Sequence, residues 1–341
     1  MAIEDDRVRI LGGVRLGRTL GGPVAMLIEN RDWENWREAM SVEARPGAPE
    51  SSLRRVRHPR PGHADLAGAL KHGTHDMRDI LERGSARETA SRVAAGALAR
   101  LFLAQFGIEV GSHTTAVGQV RLPDRIVSWE EIASIPRDSP LRCVDAAVER
   151  SMMEAIDSAR AAGDSLGGVF QVVARGLPPG LGSCRLWDTR LEGRLGGALL
   201  SIHAVKGVEI GDAIRAAAST GSHVHDEIHY ERDRRRFVRP TNRAGGIEGG
   251  MTNGEEVRAT AYLKPLSTLP RPLRSVDVID KTDVEAAVER TDTCVIAAAG
   301  CIGEAMAAIV LAEAFLEKFG GDSMDETRRN HRGYLDAIGA Y

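Results

Sequence analysis

A chain of 341 residues, 43% hydrophobic and 27% charged, can bury the core of one large or two ordinary globular domains. Its formal net charge of -3 excludes a generally basic nucleic-acid binder, and an aromatic content of 4% leaves few surfaces on which bases could stack. Cys143, Cys184, Cys294 and Cys301 have no C-x-x-C spacing and no signal peptide precedes them, which implies reduced thiols in a cytoplasmic protein.

Taken in chain order, residues 7–29 alternate short apolar runs with glycine and predict paired strands. Residues 30–61 are polar and interrupted by proline, which predicts loop. Ser85 and Glu88 form the S-x-x-E capping pattern, so a helix is expected from about Ala86, carried by Ala90, Val93, Ala94, Ala97, Leu98, Leu101 and Phe102 and stopped at Gly107. A strand is expected over 108–120, a helix over 144–162 and a strand over 169–173. A further helix is predicted over 191–205. The charge run 231–239 reads as a solvated hairpin or loop. A long helix covers 298–319 and ends at Gly320-Gly321, and Ser323 with Glu326 caps a last one. The apolar stretch from Cys294 to Leu316 is nearly long enough to span a bilayer, but Glu304 and Glu313 interrupt it, so it reads as a helix buried in protein. Two helix exits, Gly-Asp-Ser at 163–165 and Gly-Gly-Asp-Ser at 320–323, form a faint internal echo. No proline- or serine-rich linker appears, so residues 1–341 are expected to form one α+β domain.

The chemistry concentrates around Arg60-Pro61-Gly62-His63-Ala64-Asp65 and the helix start after Arg83. A helix N-terminus carries unpaired N–H groups and about half a positive charge, and Arg83 and Arg87 flank this one with full charges. That combination suits an anionic, phosphorylated ligand. Three more segments join it: 202–211 with His203, Ala204 and Lys206; the glycine-rich 241–254 with Gly249; and Lys264-Pro265-Leu266-Ser267-Thr268. Glycine allows close backbone approach to a ligand, and a lysine with two hydroxyls shortly after it can satisfy phosphate oxygens.

Together RPGHAD, RGSARETASRVAAGA, GDSLGG, LPPGLGS, AVKGVEIG, TNRAGGIEGGMTNG, KPLST and Arg290-Thr291-Asp292-Thr293-Cys294 resemble the chorismate synthase family over residues 7–330. The resemblance implies a layered β-α-β sandwich, with helices between antiparallel sheets and two pseudo-repeated halves, assembled as a homotetramer. It implies an anti 1,4-elimination of phosphate from 5-enolpyruvylshikimate-3-phosphate to give chorismate, with reduced FMN required and NADPH one source of its electrons. His63 corresponds to a histidine that protonates the leaving phosphate or the flavin, and Asp292 to a carboxylate that assists proton removal. Arg60, Arg87 and Arg290 correspond to substrate-holding arginines, whose planar forks suit phosphate and carboxylate. The flavin contacts implied are Arg83, Gly84, Ser85, His203, Ala204, Gly249, Lys264, Pro265, Leu266, Ser267, Thr268 and Arg290. Ala204 and Gly249 are also expected to matter simply because a larger side chain would collide.

The family pattern begins with a Gly-Glu-Ser-His-Gly loop and an arginine-rich segment that this sequence does not contain; Met1 to Val8 align with the family residues just C-terminal to that segment. A shifted start codon is the expectation, with low activity for a chain truly this short. His203 stands where an amide side chain is common, and Thr291 where a histidine is frequent. Two readings compete with catalysis as a flavin enzyme: a truncated, catalytically impaired flavin-binding homologue, and a metal-dependent enzyme using His223, His225 and His229. Against the latter, an exposed loop is expected there. Neither nucleic acid nor membrane is an expected partner.

Overall fold

The computed structural model describes residues 6–341; Met1 to Asp5, most of the stretch on which the expectation of a shifted start rests, lie outside them. In chain order the main elements are β1 (Val8–Gly12), β2 (Ala25–Ile28), α1 (Asp65–His72), α2 (Arg78–Arg83), α3 (Thr89–Ala104) and β3 (Glu109–Val117). Then come β4 (Val120–Arg121), α4 (Trp129–Ala133), α5 (Ala146–Ala161), β5 (Gly168–Arg175), α6 (Leu191–Leu200), β6 (Val205–Ile210) and β7 (Val257–Leu263). The chain closes with β8 (Arg274–Val276), β9 (Asp283–Glu285), α7 (Ile296–Phe319) and α8 (Met324–Gly339). The backbone divides into two compact units. One holds the residues before Arg92 with Ser158–Ser165 and Leu266–Thr293; the other holds Arg92–Asp157, Leu166–Pro265 and Cys294–Tyr341.

The second unit is an antiparallel sheet in the order β4-β3-β5-β7-β6. Helix α7 lies on β3 and β5, and α6 on α7 and β6. This close fit has a cause in the sequence. Gly303 faces Phe170 so tightly that a methyl group there would lie 2.5 Å from the ring, so only glycine lets the helix approach the sheet. Phe170, Leu195, Leu311 and Phe315 are wholly buried in the resulting core. Helix α7 is apolar and long enough to cross a membrane, yet 67% of its most apolar window is buried inside the fold. It is a core helix, and Glu304 at its middle is ion-paired with Arg100 and Arg142.

The other face of the sheet buries His113, which is 2% exposed and sits opposite Gln171 in the strand register. The Gln171 amide is committed elsewhere, accepting from Arg258 at 3.1 Å and donating to Thr260 at 3.1 Å. Burial pushes the imidazole down to about 4, and the charges of Arg258 and Arg125 add to it. An unfolded histidine titrates near 6.5, so between these values the unfolded chain binds the extra proton and stability rises with pH. The contribution is complete above about pH 6.5 and is lost as pH falls to about 4, amounting to roughly 3 kcal/mol. His113→Asn should therefore flatten the pH dependence of urea unfolding between those limits; an unchanged slope would show that His113 is not its source.

In the first unit, β1 and β2 pair antiparallel, as the alternating pattern predicts, and β8 pairs with β9. The stretch before α1 is laid against this second hairpin: Val278 N–H donates to Arg57 carbonyl at 3.2 Å, Ala287 N–H to His58 carbonyl at 3.2 Å, and Ser275 hydroxyl to Pro59 carbonyl at 2.6 Å. Val56, Ala69 and Met77 form its small core.

Several expectations need correction. The region 30–61 is mostly loop but contains single helical turns at Trp33–Trp36 and Glu50–Leu53. Ser85 caps its helix through Arg87 N–H at 3.3 Å, with a 3-10 turn Ala86–Glu88 leading into α3, rather than through the N–H of Glu88. The helix predicted over 191–205 stops at Leu200, and Val205 opens a strand. Its β-branched and glycine-containing run VKGVEI fits a strand better than a helix. The charge run 231–239 is the expected hairpin, His229–Glu231 against Arg236–Val238.

Candidate active site

Arg60, Pro61, Gly62 and His63 make a tight turn, closed by His63 N–H donating to Arg60 carbonyl at 3.2 Å. Proline presets the second position, and Gly62 supplies φ +79 at the third, the requirement of a type II turn. The turn returns His63 toward Arg60, and α1 begins two residues later with Asp65.

Asp65 is fully buried. Its Oδ1 lies 2.5 Å from His63 Nδ1, and its Oδ2 accepts from Arg60 N–H at 3.0 Å and from Arg60 Nε at 2.9 Å. Burial alone would push this carboxyl up, but hydrogen bonds from His63 and Arg60 outweigh it and hold the group well below the usual carboxylate range. Arg60 Nη1 donates to Thr268 Oγ1 at 2.7 Å, and Nη2 reaches Asp65 Oδ1 at 3.1 Å and the His63 ring at 3.0–3.3 Å. Arg60 was expected to hold substrate; its guanidinium is turned inward, 5% exposed, and its donors go to Asp65, His63 and Thr268. His63 retains 21% side-chain exposure.

The KPLST segment enters this cluster through Thr268. Leu266 is anchored by Ser165 of the GDSLGG motif, whose hydroxyl donates to the Leu266 carbonyl at 2.7 Å. Ser267 is half-buried beside it. Arg83 closes α2, Gly84 comes next, and Ser85 caps the adjoining turn, with Arg83 and Arg87 exposed. Arg290 and Asp292 lie exposed on the loop after β9.

One carboxylate was missed by the sequence. Asp32 accepts from Asn35 Nδ2 and Trp36 Nε1, both at 2.8 Å, which hold it below its ordinary range; the charges of Arg290 and Arg87 lower it further. Two predicted substrate arginines thus share one acidic neighbour. The signal was a short N-cap-like Asn-Arg-Asp before a tryptophan, too brief to stand out in a stretch read as loop.

In the second unit, His203 and Ala204 form the bend between α6 and β6. Ala204 adopts φ +68, and its carbonyl accepts from Lys264 N–H at 2.9 Å, so two segments expected to touch flavin are neighbours. Pro265 is next in the chain, exposed. Desolvation pushes the Lys264 ammonium down and the nearby Lys206 charge adds to the effect. Two cations this close suit a phosphate. Gly249 was expected to exclude larger side chains by collision; a methyl group there meets nothing within 4 Å. Its constraint is conformational, φ +59, and open space beside its backbone suits a bound planar group. The residues present therefore fit a phosphorylated flavin.

The histidines of 223–229 do not converge. His223 Nδ1 pairs with Thr220 at 2.7 Å and His229 with Glu227 at 3.5 Å, and no group of three His, Cys, Asp or Glu able to hold a metal occurs among the described residues.

An α+β chain with a carboxylate-held histidine beside clustered arginines has the makings of an enzyme that moves a proton on a small anionic ligand. Comparison with known proteins narrows that class. The chorismate synthase family profile matches residues 1–316. A chorismate synthase of Solibacter usitatus is 57% identical over 100% of this chain and 87% of its own length, and one of Symbiobacterium thermophilum is 53% identical over 99% and 87%. A crystal structure of chorismate synthase superposes with a TM-score of 0.78 at 38% identity, covering 98% of this chain and 85% of the other. The chain belongs to the chorismate synthase family. Its function is that of a carbon–oxygen lyase of the shikimate pathway, serving aromatic amino-acid biosynthesis. The comparisons give no support to a metal-dependent enzyme.

Proposed function

We propose that the chain eliminates phosphate from 5-enolpyruvylshikimate-3-phosphate with His63 as proton donor, Asp292 assisting proton removal, and Arg87 and Arg290 holding the anionic substrate. The observation that carries this reading is the buried Arg60–Asp65–His63 cluster in the RPGHAD turn, which presents a partly exposed imidazole in a fixed orientation. Reduced FMN, when bound, would lend electron density to the substrate as phosphate leaves. Arg83, Gly84 and Ser85 would give it cation and amide donors at a helix start, and Leu266, Ser267 and Thr268 a hydroxyl-bearing loop. Within the second unit, His203, Ala204, Gly249, Lys264 and Pro265 would suit the phosphate and ring of a flavin. In this reading the protein works in the cytoplasm as a single catalytic domain per chain, assembles as a homotetramer, and receives flavin reduced by a partner or with NADPH.

The test is anaerobic incubation of the protein with the enolpyruvyl substrate and chemically reduced FMN. Equal amounts of chorismate and inorganic phosphate are the expected products. Phosphate release without chorismate would indicate hydrolysis and overturn the elimination.

A further inference from the structure

We infer that Asp65 is a positioning residue for the reaction: it fixes the His63 proton on Nδ1 and leaves Nε2 as the nitrogen that gains and loses the catalytic proton. The inference rests on the reading of His63 as proton donor, but its geometry stands on its own. A buried carboxylate only accepts hydrogen bonds, so at 2.5 Å from Asp65 Oδ1 the His63 Nδ1 must carry the hydrogen. Arg60 Nη2, which lies 3.0 Å from Nδ1 and 3.3 Å from Nε2, cannot donate to a protonated Nδ1 and can be accepted only at Nε2. Both oxygens of Asp65 are used, one shared by the imidazole and Arg60 Nη2, the other by the Arg60 backbone and Nε. The same carboxylate therefore sets the tautomer of His63 and locks the guanidinium beside it. Thr268 holds that guanidinium from its other edge. Arg60 thereby becomes part of the positioning apparatus, which explains why a residue expected to grip substrate is turned inward.

Asp65→Asn separates this role from mere support. The carboxamide oxygen is retained by the two Arg60 N–H groups at the Oδ2 position, so the NH2 group faces His63 Nδ1. A donor there forces the neutral ring to carry its hydrogen on Nε2, the wrong tautomer for the proposed step. The experiment is nitrogen NMR of protein labelled with 15N-histidine, the His63 signals assigned by their loss in His63→Gln. It needs neither flavin nor turnover. At a pH where the ring is neutral, the wild-type hydrogen is expected on Nδ1 and should move to Nε2 in Asp65→Asn. In the anaerobic assay the variant should lose about 10^2- to 10^4-fold in kcat with little change in KM, the size of a lost positioned acid.

A wild-type His63 whose neutral ring carries its hydrogen on Nε2 rather than Nδ1 overturns the inference outright, whether or not the variant folds. So does an Asp65→Asn protein that keeps the Nδ1 tautomer. If instead the tautomer moves as expected while His63→Ala retains full turnover, Asp65 still sets the tautomer and it is the assignment of His63 as proton donor that fails.

Discussion

His63→Ala is expected to lower turnover about 10^2- to 10^4-fold while leaving flavin affinity close to that of the parent, the signature of a lost positioned acid. The structure argues that the variant folds. Asp65 keeps its bonds from Arg60 backbone, Nε and Nη2 when the imidazole is gone, and Thr268 keeps Nη1, so no buried charge is orphaned. Asp292→Ala should behave similarly from an exposed loop position where truncation costs little packing. The measurements are single-turnover chorismate formation under anaerobic conditions and titration of reduced FMN by its absorbance. A parallel loss of turnover and flavin binding in both variants would mean that these residues hold the cofactor rather than move protons.

The legible parts of this protein were those in which a short run of sequence dictates a local conformation. Pro61-Gly62 announces the turn that folds His63 toward Arg60, because those residues meet its φ requirements without strain. Helix α7 was legible from unbroken apolarity with two carboxylates, and α8 from Ser323, whose hydroxyl accepts from Glu326 N–H at 3.3 Å. What escaped was pairing across the chain. That Thr268 would meet Arg60, 208 residues away, or that Asp65 would carry both Arg60 and His63, depends on the β8–β9 hairpin to which 57–59 are hydrogen-bonded. Motif spacing cannot report that. The boundary at Leu200 was missed for a different reason: apolar periodicity runs on past the helix, and the break at 201–204 depends on Ala204 entering a left-handed conformation that alanine seldom signals. The resemblance supplied candidate residues, and the geometry shows Arg60 bonded to Asp65, His63 and Thr268.

The largest stability effect should come from Glu304, and its size depends on which side of the ion pair is removed. Glu304 is 5% exposed at the side chain, accepting from Ser112 Oγ at 2.8 Å, Arg142 Nη2 at 3.0 Å and Arg100 Nη1 at 2.7 Å. The side chains of Arg142 and Arg100 retain 34% and 47% exposure. Deleting both, in Arg100→Ala/Arg142→Ala, strands a carboxylate in the core with one hydroxyl for company, and the expected cost is about 3–5 kcal/mol. Glu304→Gln should cost less, on the order of 1–2 kcal/mol, because each freed guanidinium can turn its charge to water and the amide still bonds Ser112. Urea unfolding of the three proteins measures the difference. Should Glu304→Gln prove as damaging as the double arginine variant, the carboxylate would be serving as the anchor that joins α7 to β3 through geometry alone, and desolvation of its charge would not be what sets the stability of the sheet and its central helix.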